Sequence, residues 1–254
     1  MDVNDLCHIF GCKPKKEKVE TEKDKDEPEK DAHMSTLSTT RPKLDKIDPE
    51  LTLETENLVL RPLEGKDLGA YWAIVDGEPD TMYSFWTISN PYPDIADAGR
   101  DIVDPRGRGL EKLISFGIFL KNKDGDAEEL LGRGGVQMCK GTWPSAWYFI
   151  KRGAEEGKYR RKGYATQFLK ELLRYWWTLE REDVEVKMYD ELVPSLEDPR
   201  GSGKAKEVLC AWPKESNKPS QGLLEKVGFK CHGTIEHEEH KKFDFQFWFY
   251  TKKD

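Results

Sequence analysis

The chain has 254 residues, 35% of them charged, with 41 Lys+Arg against 48 Asp+Glu and a net charge of −7. That balance argues against a dedicated nucleic-acid binder, because neutralising phosphates needs a basic surface. No run approaches the roughly 18 apolar residues of a membrane span, and the acidic opening Met1-Asp2-Val3-Asn4-Asp5 lacks the basic start of a secretory leader.

Five scattered cysteines, Cys7, Cys12, Cys139, Cys210 and Cys231, give no disulfide framework and fit reduced thiols, so the expected location is cytoplasmic. Between Lys15 and Asp31, 14 of 17 residues are charged and Val19 is the one aliphatic side chain. Such a stretch cannot offset the entropy of ordering, and residues 1–50 are read as a disordered charged tail. Its Lys13-Pro14-Lys15-Lys16 opens a nuclear alternative, weighed against a solvated charge run. Met34 is read as an internal start or the scar of a fused leader.

From Leu51 short strands and helices alternate, and residues 51–254 are read as one domain. Asn57 to Leu63 is a predicted strand closed by Pro62; Glu64 to Val75 is a helix with Leu68, Tyr71, Trp72 and Val75 at helical spacing. Asp94 to Val103 is a second, weaker helix. Lys112 to Leu120 and Glu129 to Cys139 are strands joined across Asn122-Lys123-Asp124-Gly125-Asp126, whose Asp-Gly is a hairpin signal. Ser145 to Lys151 is the next strand. Gly163 to Leu179 carries a wide apolar stripe at helical period, with Lys170, Glu171 and Arg174 opposite. Residues 181–206, with Pro194, Pro199, Gly201 and Gly203, are taken as an insertion, too long for an ordinary loop. Val208 to Trp212 is a strand, Pro219 to Val227 a helix stopped by Gly228, and Phe229 to Ile235 with Phe243 to Thr251 a closing hairpin.

Just before the strong helix, Arg160, Arg161 and Lys162 stand at the end where its dipole is already positive. Main-chain N–H groups of a first helical turn lack internal partners, and Gly163 lets a ligand approach them, so a diphosphate fits; the alternative is a solvated basic start. A Walker loop fails, because Gly157 to Gly163 is one residue too long and Tyr164 follows; a dinucleotide fingerprint at Gly132-Arg133-Gly134-Gly135 would need a glycine where Gln137 stands. Those glycines read instead as a strand where a ligand or neighbouring backbone comes close, or as a bulge.

The string Arg160-Arg161-Lys162-Gly163-Tyr164-Ala165 resembles the Arg/Gln-x-x-Gly-x-Gly/Ala signature of the GCN5-related N-acetyltransferase (GNAT) family. Asn217-Lys218-Pro219-Ser220 and Leu224-Glu225-Lys226-Val227-Gly228-Phe229 resemble that family's second signature. Leu53 to Pro62 is similar to the opening strand of its ribosomal-protein alanine N-acetyltransferase branch.

The resemblance implies an α+β, three-layer acyl-CoA N-acyltransferase fold: a mixed, mostly antiparallel sheet splayed at its central strands, with helices on both faces. It implies an enzyme, an N-acetyltransferase using acetyl-CoA as co-substrate and no metal, with direct attack by a primary amine in a ternary complex. By the same resemblance Arg160, Arg161, Lys162, Gly163, Tyr164, Ala165 and Thr166 hold the pyrophosphate, Phe149, Ile150 and Lys151 line the pantetheine arm, and Asn217 and Ser220 hold it from the following helix. For Asn217 and Ser220 helix capping is the alternative. Tyr83 to Trp86 are expected to line the acceptor pocket.

Many relatives carry a Tyr general acid where this chain has Leu224, so the acid is unassigned; Tyr148 and Glu215 are the candidates. Cys210 needs no catalytic role. Cys231, His232, His237 and His240 lack recognisable metal-ligand spacing, and the histidines read as solvated. The expected acceptor is a small-molecule or peptide amine, with no nucleic-acid or membrane partner and a monomer or homodimer as the assembly. The alternative reading is a catalytically silent acyl-CoA-binding or protein-interaction module on the same fold.

Overall fold

The computed structural model describes residues 34–43, 51–77, 92, 94–103, 112–138, 141–153, 158–196, 204–235 and 245–252. The strands are β1 (Met34–Pro42), β2 (Leu53–Glu54), β3 (Leu58–Arg61), β4 (Lys112–Lys121), β5 (Ala127–Met138), β6 (Ser145–Ile150), β7 (Arg181–Tyr189), β8 (Leu209–Ala211), β9 (Lys230–Ile235) and β10 (Phe245–Tyr250). The helices are α1 (Leu68–Gly77), α2 (Ile95–Val103), α3 (Tyr164–Trp176) and α4 (Lys218–Val227), with 3-10 segments at Gly65–Asp67 and Asp190–Leu196.

Eight strands form one sheet in the order β2-β3-β4-β5-β6-β8-β10-β9. Its neighbours are antiparallel except β6 and β8, which run parallel. The expected β4–β5 hairpin forms because Asn122 Oδ1 accepts from the N–H groups of Asp124 and Asp126, both at 2.9 Å, while Gly125 takes φ 93°. Strand alternation then divides the core. Tyr148 and Ile150 face one cluster with Phe168, Leu169, Leu172 and Leu173 of α3 and Leu224 and Val227 of α4. Trp147 and Phe149 face the other, with Tyr71, Ile74 and Val75 of α1 and Ala98 of α2. Helix α4 ends as its sequence dictates: Gly228 adopts φ 104°, and Leu224 O accepts from the N–H groups of Gly228 at 3.1 Å and Phe229 at 3.0 Å. Among the described residues no helix is long and apolar enough to cross a membrane.

One expectation needs correction. The reading of residues 1–50 as a disordered tail fails at Met34–Pro42, which is a strand paired antiparallel with β7, Leu37 opposite Val186 and Thr39 opposite Val184. The segment 181–206, taken as an insertion, holds β7 and the 3-10 segment, which with β1 bury Val186, Met188, Leu192 and Leu196 against Trp143, Cys210, Phe247 and Phe249. A strand with one aliphatic side chain becomes stable here because its partner supplies the alternating apolar face.

Candidate active site

The central feature lies between β6 and β8. Their ladder has a single pair, Ser145 with Cys210, closed by the Cys210 N–H donating to Pro144 O at 2.9 Å. Past that point β6 continues for five residues while β8 ends, so the sheet parts. The Lys151 N–H donates to Leu131 O at 2.8 Å on the β5 side. Alternation along an antiparallel strand therefore turns the N–H groups of Tyr148 and Ile150 toward the gap. Polar main-chain groups on such an edge need a partner.

The N-terminus of α3 supplies a second set of main-chain donors. Gly163 caps it in the left-handed region at φ 83°, Arg161 is also left-handed at φ 60°, and the first helical bond is from the Gln167 N–H to Gly163 O at 2.9 Å. The preceding N–H groups are the unpaired donors of a first turn, at the positive end of the dipole. A Cβ on Gly163 would meet nothing within 4 Å, so the space in front of it is open. Arg160, Arg161 and Lys162 are exposed beside it, and Tyr164, Ala165 and Thr166 are half-buried.

This loop is held from below. Glu129 Oε1 accepts from Tyr159 Oη at 2.5 Å and Lys151 Nζ at 2.8 Å. Burial opposes the Glu129 charge, but hydrogen bonds from Lys151 and Tyr159 outweigh it and lower the pKa. The Thr55 hydroxyl at 2.7 Å and Asn57 N–H at 3.1 Å both donate to Gln167 Oε1, fastening α3 to the β2–β3 turn.

Asn217 is a helix cap: its side-chain oxygen accepts from the Ser220 N–H at 3.3 Å. Ser220 Oγ lies 3.4 Å from Tyr148 Oη, which joins α4 to β6. Burial raises the Tyr148 pKa against a smaller lowering by Ser220, so the hydroxyl keeps its proton. Phe149 is buried on the α1 side, Ile150 half-buried on the α3 side, and Leu224 buried under α4. Glu215 lies apart, exposed on the turn before α4, its carbonyl accepting from Gln221 Nε2 at 2.7 Å. Burial alone pushes the Cys210 thiol well up, leaving it an inert core group. Cys231 is exposed and His232 stacks on Phe249 at 4.6 Å. His237, His240 and the expected acceptor residues Tyr83 to Trp86 lie outside the described residues.

Arg133 was not singled out by sequence, although an arginine inside the apolar run Leu130 to Val136 was a readable signal. It is buried on the α1–α2 face, where Nε donates to Ser115 Oγ at 2.7 Å and Nη1 to Tyr71 Oη at 3.1 Å. Nη1 also pairs with Asp101 Oδ2, and Nη2 donates to the Asp101 carbonyl at 3.4 Å. Tyr92 Oη donates to Asp101 Oδ2 at 2.7 Å and lies 2.9 Å from Tyr71 Oη. Burial works against the guanidinium charge, and the oxygens of Tyr71, Asp101 and Tyr92 more than offset it, raising the pKa.

Residues 57–230 match the family described as the acetyltransferase (GNAT) domain. A GNAT-family acetyltransferase from Bacillus anthracis is similar in structure at TM-score 0.53 and 16% identity, over 79% of this chain and 98% of that one. So is an acetyl transferase from Salmonella typhimurium that modifies the N-terminal serine of a 50S ribosomal subunit protein, at TM-score 0.53 and 12% identity over 78% and 97%. A ribosomal α-N-protein acetyltransferase in complex with coenzyme A gives TM-score 0.53 and 12% identity over 79% and 98%. At these identities the likeness is one of fold. None of the curated proteins compared matches the chain.

Proposed function

Because the chain belongs to the GNAT acetyltransferase family, we propose that it transfers the acetyl group of acetyl-CoA to a primary amine by direct attack within a ternary complex. The observation that carries this reading is the parting of β6 from β8 past the Ser145–Cys210 pair, beside the N-terminus of α3, which has no side-chain cap. Acetyl-CoA supplies an acyl carbon activated as a thioester. The main-chain N–H groups from Arg161 to Ala165, with Thr166, hold the pyrophosphate, beside the exposed cationic side chains of Arg160, Arg161 and Lys162. The main chain of Ile150, between Phe149 and Lys151 on the β6 edge, pairs with the pantetheine arm as a missing strand would, while Asn217 and Ser220 face it from α4. The Ile150 N–H stabilises the developing oxyanion. Tyr148, neutral and bonded to Ser220, protonates the departing thiolate, the role Leu224 cannot take. The amine nitrogen bonds to the acetyl carbon as the C–S bond breaks, and its extra proton passes through solvent to restore the Tyr148 phenol. The acceptor is a peptide or small-molecule amine, and the site of action is the cytoplasm.

The test is a thermal melt with and without acetyl-CoA, followed by thiol release with a peptide bearing N-terminal serine and with spermidine. A hundredfold excess over the dissociation constant should stabilise the fold by about 2.7 kcal/mol. Gly163→Glu, which sets a negative side chain in the open space before α3, should abolish the shift. Absence of any shift in the wild type at millimolar acetyl-CoA rejects the reading. Leu224 favours a second reading, a silent acyl-CoA binder; stabilisation without thiol release to any amine would select it.

A further inference from the structure

We propose that Arg133 is a positioning residue that latches α2 to the central sheet and so sets the wall of the amine-accepting side. This rests on the acetyl-transfer reading above. Arg133 stands opposite Phe149 in the β5–β6 ladder, directly behind the stretch of β6 whose other edge is open. The α3 N-terminus and α4 lie on one face of the sheet, so a donor held there leaves the opposite face, that of α1 and α2, for the amine. Arg133 sends its side chain to that face and spends its donors there: Ser115 on β4, Tyr71 on α1, and both the carboxylate and the carbonyl of Asp101 on α2.

Helix α2 needs such a hold. It is nine residues long, Ala98 is its one fully buried apolar residue among those described, and Ile95 is 45% exposed. Beyond Ala98, Ile102 packs only partly buried against the core, and an isolated helix of this length is marginal. A buried ion pair adds little net stability over apolar packing, but it specifies one geometry. Asp101 Oδ2 already accepts from Arg133 and Tyr92, which suits a tether and leaves that oxygen committed.

The test uses the full chain and the variants Arg133→Met, Arg133→Lys and Asp101→Asn. Hydrogen exchange is followed in 95–103 and 164–176, acetyl-CoA affinity by titration, and steady-state kinetics with a peptide bearing N-terminal serine. Arg133→Met should speed exchange in 95–103 about tenfold, leave 164–176 unchanged and keep acetyl-CoA affinity within about twofold. It should raise the peptide KM about tenfold with kcat within about threefold, and Arg133→Lys should recover most of the loss. Asp101→Asn, which alters only the α2 end, gives the same pattern should Arg133→Met fail to fold. Unchanged exchange in 95–103, equal acceleration in both helices, or a parallel loss of acetyl-CoA affinity overturns the proposal. A wild type that binds no acetyl-CoA rejects the acetyl-transfer reading instead, and the exchange measurement still decides whether Arg133 holds α2.

Discussion

Gly135 has no room for a methyl group: a Cβ there would stand 1.8 Å from Ile114 O, a backbone atom that cannot swing aside. Gly135→Ala should therefore cost about 2 kcal/mol or more in urea denaturation, by forcing β4 and β5 apart. Gly222, inside α4 with nothing within 4 Å, is the opposite case, and Gly222→Ala should stabilise by about 0.5 to 1 kcal/mol. A charge effect is equally local at Asp67. Its carboxylate accepts from Arg61 Nη1 at 2.7 Å, Arg61 Nη2 at 2.9 Å and the Glu64 N–H at 2.9 Å. Burial opposes that charge, but the Arg61 and Glu64 hydrogen bonds prevail and lower the pKa. A lowered carboxyl pKa contributes stability above the unfolded value of about 3.9 and loses it as pH falls through the folded value. Asp67→Asn should cost about 2 kcal/mol at pH 7, with the gap to wild type narrowing below about pH 4. A pH-independent gap in melts from pH 2 to 7 would show that the pair contributes through packing instead.

At the scale of elements, β1 and β7 test how far apart in sequence two halves of one unit can lie. Val184, Val186 and Met188 alternate with Asp183, Glu185 and Lys187, a period of two that was legible in β7 alone. The Pro- and Gly-bearing residues that follow masked it. β1 was not legible, because Met34-Ser35-Thr36-Leu37-Ser38-Thr39-Thr40-Arg41-Pro42 offers one aliphatic residue and its partner lies far downstream; tertiary pairing, not local pattern, makes it a strand. The pairing is fastened by Thr39 Oγ1 donating to Ala205 O at 2.9 Å and Thr40 Oγ1 to Glu207 Oε2 at 2.7 Å. A chain beginning at Leu51 should thus be less stable than one beginning at Met34, by on the order of 2 kcal/mol, the burial of about one aliphatic side chain. Equal denaturant midpoints would mean that β1 merely lies on the surface. Helix α3 and its basic start were readable because a stripe and a charge run are local. The parting of β6 from β8 followed only from the family resemblance and not from local pattern, since it depends on where a three-residue strand stops.

At the scale of the whole molecule, a net charge of −7 coexists with Lys158, Arg160, Arg161 and Lys162 before α3, a local cationic mouth on an acidic protein. Such asymmetry would guide an anionic co-substrate to one place, because the surrounding surface repels it. If so, the charges act mainly on the rate of encounter, while the main-chain donors of α3 act on residence. Arg161→Glu combined with Lys162→Glu should slow acetyl-CoA association about tenfold at low ionic strength, with the deficit shrinking toward 1 M salt, where the screening length is about 3 Å. Both side chains are exposed, so the melt of the free protein should move by less than about 0.5 kcal/mol. Stopped-flow association at several salt concentrations separates the possibilities: a deficit independent of salt would make these side chains direct contacts to the diphosphate, and no deficit at any salt would remove the mouth from the donor site.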